Sequence, residues 1–175
     1  MDPLNPSYRS IDGIFFSNPV TNLIQYPTGR AGSYGVPDGV TSIETEAFRN
    51  SSGLTNVTFP SSLTYVGGRS FEDCPGLTDM TIPDSVTYIG DRVFLNRSNL
   101  LAITIGSSVV RISTAAFNGC TSLAALYCRG SAPSIDDSAF SCYGIATVYY
   151  LPSAPYWGPT IAGRPTSSID FCIIR

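Results

Sequence analysis

The fold is decided by residues 63–83, LTYVGGRSFEDCPGLTDMTIP, whose pattern returns along the chain with a step of 23 residues. Phenylalanine marks this step most plainly, at Phe48, Phe71, Phe94, Phe117 and Phe140. Four further apolar columns keep the same register: Ile43, Val66, Ile89, Ile112 and Ile135; Val40, Leu63, Val86 and Val109; Leu54, Leu77, Leu100 and Leu123; and Val57, Met80, Ile103, Leu126 and Tyr149. Apolar columns in register over several copies predict a repeat architecture.

Each copy contains one clear strand pattern. From Leu77 to Ile82 the residues follow the Leu-x-x-apolar-x-apolar order of a leucine-rich repeat, and the last four alternate between inward and outward positions. Pro83 ends the strand, because proline cannot donate a hydrogen bond to a continuing ladder. A second short extended piece is predicted around Val66. Between the two, a short turn, or a single helical or 3-10 turn, carries Phe71 into the core.

Stacking of these coils follows from their apolar edges. One coil cannot bury its own edge, so neighbouring coils must stack with strands about 4.8 Å apart in a parallel sheet. The predicted fold class is therefore a β-rich leucine-rich-repeat solenoid of about five coils with a cap at each end. We divide the chain into an N-terminal hairpin cap and first strand at 1–39, repeats at 40–152, and a C-terminal cap at 153–175.

The two caps have different patterns. In the first cap, residues 12–16 and 23–27 predict two strands joined near Asn18. In the second cap, the apolar residues 169–174 predict a final strand that packs on the last coil.

The composition removes most kinds of catalytic site. Histidine and lysine are absent, so all ten cations are arginine. A Ser-His-Asp triad, a Cys-His pair, a Schiff-base lysine and a Walker loop are therefore excluded. Carboxylate-only chemistry stays open, but Glu44, Glu46 and Glu72 fall on the turn side of the coils rather than in an evident cleft. We expect no enzyme activity, no cofactor and no metal site.

The charge and the termini limit the partners. A net charge of −3 argues against nucleic acid, because phosphate binding needs a basic face. No apolar run reaches the roughly 18 residues of a membrane span, so we expect no membrane insertion. The first residues lack the basic and apolar regions of a signal peptide. Two alternatives stay open: an intracellular protein, or a mature or excised piece of a longer chain.

The cysteines show no Cys-x-x-Cys spacing, which argues against a zinc or redox motif. They are Cys74, Cys120, Cys128, Cys142 and Cys172. Buried free thiols are the default expectation. Cys120 and Cys142 lie nearly one coil apart and form the pair that could make a disulfide.

The repeat resembles the BspA-like, or treponemal-type, leucine-rich repeats. The resemblance is carried by residues 86–90 (VTYIG) with Phe94 and by residues 77–85 (LTDMTIPDS), and with the opening and closing segments it covers roughly residues 11–168. Members of that family are often cell-surface proteins that act in adhesion or protein recognition. The resemblance thus implies a surface or secreted protein with a protein partner. The closing proline of the pattern is missing at Gly106 and Gly130, where the coils are expected to end differently.

The outward columns of the strands supply the candidate binding residues. One column comprises Asn56, Asp79, Ala102, Ala125 and Val148, and the next comprises Thr58, Thr81, Thr104, Tyr127 and Tyr150. From these we select Asn56, Asp79, Thr81, Thr104, Tyr127 and Tyr150 as candidate partner-binding residues. Exposed tyrosines are enriched at binding hot spots. The alternative is that the threonine ladder supports the strands and that the tyrosines pack on each other and on the cap around Trp157.

A second column, on the other edge of the coils, holds Ser42, Tyr65, Tyr88, Arg111 and Ser134. Tyr65, Tyr88 and Arg111 form a secondary candidate surface, and Arg111 could pair with the tyrosines through cation–π contact. The alternative is that this contact only stabilises the surface. Adjacent Asp136 and Asp137 could hold calcium, but without a repeated ligand set they indicate solvated loop acids.

Charged residues also stack from coil to coil. Glu46 is predicted to lie under Arg69, and Arg49 under Glu72, as exposed ion pairs.

The function predicted from these patterns is a non-catalytic protein-interaction module, for adhesion or scaffolding, that uses the parallel-sheet face of the solenoid. The alternative is a structural or accessory subunit of a larger assembly. The state of the sheet face discriminates between the two. A contiguous exposed aromatic patch favours recognition, whereas a covered face favours the structural role.

Overall fold

The computed structural model describes residues 5–140 and 147–169. Within those residues the chain forms short strands joined by turns, without a helix. The strands are β1 (Tyr8–Ile11), β2 (Ile14–Ser17), β3 (Asn22–Gln25), β4 (Gly32–Gly35), β5 (Ser42–Ile43), β6 (Leu54–Thr58), β7 (Tyr65–Val66), β8 (Asp79–Thr81), β9 (Tyr88–Ile89), β10 (Ala102–Ile105), β11 (Arg111–Ile112), β12 (Ala125–Cys128), β13 (Ser134–Ile135), β14 (Thr147–Tyr150), β15 (Thr160–Ile161) and β16 (Arg164–Ser168). They build the predicted solenoid.

Two faces of the solenoid are β-sheets. The short extended pieces form an eight-stranded sheet in the order β1-β2-β3-β5-β7-β9-β11-β13. The leucine-rich strands form a six-stranded sheet in the order β15-β16-β14-β12-β10-β8, and β4 and β6 form a separate pair beside it. From β8 to β14 the neighbours are parallel, as stacking of successive coils requires. We call the outer surface of the leucine-rich strands the sheet face.

The third side of each coil is a turn that carries a phenylalanine inward. The five phenylalanines stack face to face as a ladder, with ring centroids 4.9 to 6.2 Å apart. The turns are not helical, because their amides pair across coils: the N–H of Phe48 donates to the carbonyl of Ser70 at 2.9 Å. Left-handed φ angles shape the corners at equivalent positions, for example Glu46 and Arg69. Of the predicted alternatives, the short turn is therefore the one observed.

The core is made by the apolar columns. Most of their members have little or no exposed surface and form one continuous cluster along the solenoid, against which the partly buried Ile135 packs. One column was extended wrongly at its end. Val148, not Tyr149, is buried beside Leu126, because Leu126 pairs with Val148 in the strand register. The step from Leu126 to Val148 is one residue shorter than the steps between the earlier members of the column. A shift of one residue exchanges the two faces of a strand.

Close packing explains why one coil lacks its closing proline. A side chain at Gly106 would collide with the backbone of Pro83 in the preceding coil. Glycine is therefore required there, and the strand β10 still ends just before it.

The caps close both ends of the ladder. The predicted hairpin is present as β2 and β3, with β1 as an additional antiparallel strand. Tyr26 continues the ladder by packing on Phe48 at 5.0 Å. At the other end the guanidinium of Arg164 lies over the ring of Phe140 at 5.5 Å. The predicted strand at 169–174 falls almost wholly outside the described residues, and the boundaries at 39 and 152 stay predictions.

Candidate functional site

A groove of about 490 Å³ lies on the sheet face. It is lined by five of the six candidate partner-binding residues, together with the residues between and beneath them: Asn56, Val57, Thr58, Phe59, Asp79, Met80, Thr81, Pro83, Ala102, Ile103, Thr104 and Tyr127. The volume falls within the usual range of ligand pockets, roughly 300–1,000 Å³. The structure thus brings most of the predicted residues into one concave site.

Strand register positions the walls of this groove. Thr104 on β10 pairs with Thr81 on β8 and with Tyr127 on β12, so these three side chains form one outward row. Asp79 pairs with Ala102 in the neighbouring row. Alternation along each strand sends these residues outward and Met80 and Ile103 inward. Because the three strands are hydrogen-bonded to one another, this part of the site is held in a fixed register.

The outward rows end differently from the prediction. In the last coil Tyr149, not Tyr150, pairs with Tyr127, and Tyr150 pairs with Cys128. Val148 was placed on the outward face and is buried instead. The cause is the same one-residue shortening that moves Val148 into the core.

The tyrosines at this end have two separate roles in packing. The rings of Tyr127 and Tyr149 stack with centroids 5.2 Å apart, so they form an aromatic surface at the edge of the groove. Tyr150 stacks on Trp157 at 4.8 Å, and the indole N–H of Trp157 donates to the carbonyl of Gly130 at 3.2 Å. Tyr150 therefore packs on the cap, as the alternative prediction stated, and is not among the groove residues.

The secondary candidate surface lies on the eight-stranded sheet. Tyr65 and Tyr88 stack with centroids 5.8 Å apart and planes within 5°, and Tyr65 keeps 39% of its surface exposed. Burial is the main cause that raises the pKa of Tyr65, and the nearby charges of Tyr88 and Glu44 act in the same direction. Arg111 pairs with Tyr88 in the strand register, but within the described chain no cation–π contact joins them. The predicted pairing of Arg111 with a tyrosine ring is therefore wrong.

The hollow beside these tyrosines is polar. It measures about 310 Å³ and is lined by charged residues and glycines as well as by the two rings. The hydroxyl of Tyr88 lies 3.4 Å from the hydroxyl of Ser113, which in turn donates to Asp91. Its internal hydrogen bonds and ion pairs indicate that this hollow is more a stabilised surface than an open binding site.

The stacked charges on the turn side form a closed group of four. Arg49 contacts Glu46 at 3.2 Å and Glu72 at 3.3 Å, and Arg69 contacts Glu46 at 3.4 Å and Glu72 at 3.8 Å. The predicted pairs are present, but Glu72 is buried rather than exposed. The group stabilises neighbouring coils.

Two residues of the core were missed by sequence reasoning. Phe59 occupies an inward column where the other coils have Ile82, Ile105 and Cys128, and it is only partly buried. Arg97 is fully buried, and one guanidinium nitrogen donates to the carbonyl of Leu77. Desolvation is the first cause that lowers the pKa of Arg97. Comparing each column residue by residue for size and charge would have found both.

The cysteines in the described residues are part of the core. Cys74 and Cys128 are buried free thiols, and burial raises the pKa of Cys128 to about 12. The thiol of Cys120 donates to the carbonyl of Phe94 at 3.0 Å. The predicted pairing of Cys120 with Cys142 lies outside the described residues, as does Cys172.

An acidic residue of the last coils makes local hydrogen bonds. Asp136 accepts hydrogen bonds from the backbone and hydroxyl of Ser138, which hold the pKa of its carboxyl below the ordinary value. Among residues 5–140 and 147–169, no three metal-ligating side chains come together. Over the same ranges there is no helix long and apolar enough to cross a bilayer.

Comparison with protein families agrees with this architecture. Residues 26–150 match the model of the BspA type leucine rich repeat region in six copies. The match covers well over half of the chain, so the protein belongs to the family of BspA-type leucine-rich-repeat proteins. A search of the curated proteins found no match.

Solved structures show the same fold. A leucine-rich cell surface protein from Faecalibacterium prausnitzii aligns with a TM-score of 0.77 and 29% identity, over 87% of this chain and 43% of that one. A leucine-rich repeat protein from Eubacterium ventriosum aligns with a TM-score of 0.75 and 19% identity, over 97% of this chain and 52% of that one. The pneumococcal vaccine antigen PcpA aligns with a TM-score of 0.64 and 21% identity, over 87% and 44%. The chain thus spans about half the length of these structures.

Proposed function

We propose that this protein is a non-catalytic recognition module that binds a protein partner through the groove on the sheet face. The observation that carries the proposal is that five of the six outward-column residues line one concave groove of about 490 Å³. The stacked pair of Tyr127 and Tyr149 adds an aromatic edge, and such edges give large contact area at low entropic cost.

The setting of this activity is proposed to be a cell surface. The support is the likeness to the Faecalibacterium prausnitzii protein, which is described as a leucine-rich cell surface protein. A role in adhesion fits that setting. The alternative role, as an accessory subunit, requires the sheet face to be covered by a neighbour. The exposed side chains of Asn56, Asp79 and Thr81 favour recognition instead.

The experiment is partner capture followed by affinity measurement. Protein immobilised through a terminal tag is used to isolate partners, and each purified partner is titrated against the wild type by biolayer interferometry. We expect Tyr127→Ala to weaken binding at least tenfold, roughly 1.4 kcal/mol. The matched control is Tyr65→Ala, which removes a partly exposed stacked tyrosine from the opposite sheet. Equal losses from both variants, or a loss from Tyr65→Ala alone, would contradict the proposal.

A further inference from the structure

The parallel sheet is interrupted beneath the groove. Between β8 and β10, the N–H of Leu101 donates to the carbonyl of Thr78, and the N–H of Ile82 donates to the carbonyl of Thr104, both at 2.8 Å. One coil earlier, the position of Leu101 is held by Thr78 and the position of Ile82 by Phe59. The N–H groups of these two residues would join β6 to β8. Within the part of the chain that is described, neither amide has a backbone partner, and no ladder joins β6 to β8. Unpaired backbone groups therefore line both sides of the interruption.

The interruption coincides with the largest residue in its column. Phe59 stands where later coils have Ile82, Ile105 and Cys128, and its ring packs edge-on against Phe71 at 5.9 Å. The same two coils stay joined on their other sides, because β5 pairs with β7 and the ladder continues through the turn. The separation is thus confined to the sheet face, where it leaves part of the core open to solvent between β6 and β8. We call this opening the window.

Apolar side chains form the floor of this window. Val57 and Met80 point inward, yet each keeps 6% of its surface exposed and lines the groove beside Phe59. Elsewhere in the sheet, paired strands cover the corresponding residues more completely, as at Ile103 and Leu126. An apolar side chain that enters from outside would exclude water from this floor, and burial of apolar surface is favourable.

The groove also carries a negative charge and no positive one. Asp79 is the one charged residue among those that line it. Its carboxylate accepts a hydrogen bond from the hydroxyl of Thr78 at 3.1 Å, and among the described residues it has no cationic partner. A cation from a partner would find this carboxylate exposed and available, which gives the groove a charge preference.

We propose that the groove receives an extended segment of a partner protein, which inserts an apolar side chain between β6 and β8 and places a lysine or arginine beside Asp79. An extended segment supplies backbone N–H and C=O groups for the unpaired amides of Phe59 and Thr78. Its alternate side chains face the same way, so an apolar residue and a basic residue two positions apart enter the groove together. The inference rests on the proposed function and specifies the chemistry of the partner.

The open strand edge is tested first without a ligand. Native-state hydrogen exchange, resolved by residue with NMR, should show the amides of Phe59 and Thr78 exchanging at least about tenfold faster than those of Ile82 and Leu101. The substitution Phe59→Ile installs the residue type of the next two coils. It should keep the fold, as judged by thermal melting, and slow exchange at Thr78. Equal protection of all four amides in the wild type would overturn the open edge.

Binding is tested with three defined peptides that carry a fluorescein label and an amidated end. The first is Gly-Thr-Leu-Thr-Arg-Thr; the second replaces Arg with Glu, and the third replaces Leu with Ser. Fluorescence anisotropy should give the first peptide at least about tenfold higher affinity than either of the others. Asp79→Asn should remove the preference for Arg over Glu, and Phe59→Ile should weaken binding of the first peptide. No binding, or equal binding of all three peptides, would overturn the proposal.

The same variants separate this inference from the proposed function. If a captured partner loses affinity with Tyr127→Ala but not with Phe59→Ile or Asp79→Asn, the sheet face recognises proteins and the inserted segment is wrong. If the peptides follow the expected order and the partner depends on all three residues, both proposals hold. Dependence of the partner on Tyr65 alone would overturn both.

Discussion

At the scale of single residues, the column position determines what a side chain does, and Arg97 is the residue that fits its column least. The equivalent positions hold Ser51, Cys74 and Cys120, all buried, whereas Arg97 carries a charge into the same space. Two of its guanidinium nitrogens have no hydrogen-bond partner among the described atoms. A buried charge without compensation is costly, because the attraction that would offset its desolvation is missing.

Replacement of Arg97 should therefore stabilise the protein. We expect Arg97→Cys, which restores the residue of the flanking coils, to raise the free energy of unfolding by about 1–3 kcal/mol. Urea denaturation followed by circular dichroism measures the change. Arg92→Cys, at an exposed position, is the control and should stay within about 0.5 kcal/mol of the wild type. A lower stability for Arg97→Cys would show that the buried guanidinium makes a net favourable contribution.

Burial of Cys128 should make the protein sensitive to alkali. Its pKa of about 12 lies above the ordinary 9.0, so the unfolded chain loses this proton first as pH rises. The stability from this group is complete below pH 9 and declines between there and pH 12, by up to about 1.4 kcal/mol per pH unit. Urea midpoints at pH 8 and at pH 10.5 should diverge less in Cys128→Val than in the wild type. An equal change of the urea midpoint between the two pH values in both proteins would contradict the assigned burial.

At the scale of elements, the ladder of phenylalanines is the main connection between coils. Phe94 lies between two other rings, 6.2 Å from Phe71 and 5.3 Å from Phe117, and has no exposed surface. We expect Phe94→Ala to lower the free energy of unfolding by about 3–5 kcal/mol, because it removes a fully packed ring. Leu101→Ala, on an exposed position of the sheet face, should change it by less than about 0.5 kcal/mol. Comparable losses of unfolding free energy from both variants would show that the phenylalanine ladder is not the main connection between coils.

The same scale shows which elements the sequence predicts and which it does not. The coils and their strands were predictable, because burial of one edge per coil imposes a strict period on residues such as Phe71 and Ile89. The opening at β6 was not, because the residues there follow the same pattern as in the paired coils, apart from the larger Phe59 in its column. The site was predictable where strand register is regular, as for Thr104 and Tyr127. It was wrong at Tyr150, where one missing residue exchanges the two faces of the strand.

At the scale of the whole molecule, two sides of the solenoid hold the coils together, and the third is the side proposed for recognition. The turn side holds the ladder and the group of four charges, and the eight-stranded sheet runs unbroken from the N-terminal hairpin to β13. Among residues 5–140 and 147–169, the sheet face is the one side that contains an interruption. The opening is compatible with a stable fold because the other two sides keep the coils in register. The groove can thus keep unpaired backbone groups while the molecule as a whole stays folded.

This arrangement predicts that the isolated protein is a monomer. The strands at the two ends of the solenoid are short, with two residues in β13 and β15 and four in β1 and β4, so the ends offer little edge for pairing with another copy. The remaining sheet edges, β6 and β8, face each other within the groove. Size-exclusion chromatography with light scattering should give a mass near 18.7 kDa at all concentrations tested. Tyr127→Ala should elute at the same volume, because the groove is open in the free protein. A defined oligomer that Tyr127→Ala dissociates would mean that copies of the chain cover the sheet face. The accessory-subunit role would then account for the groove better than recognition of a separate partner.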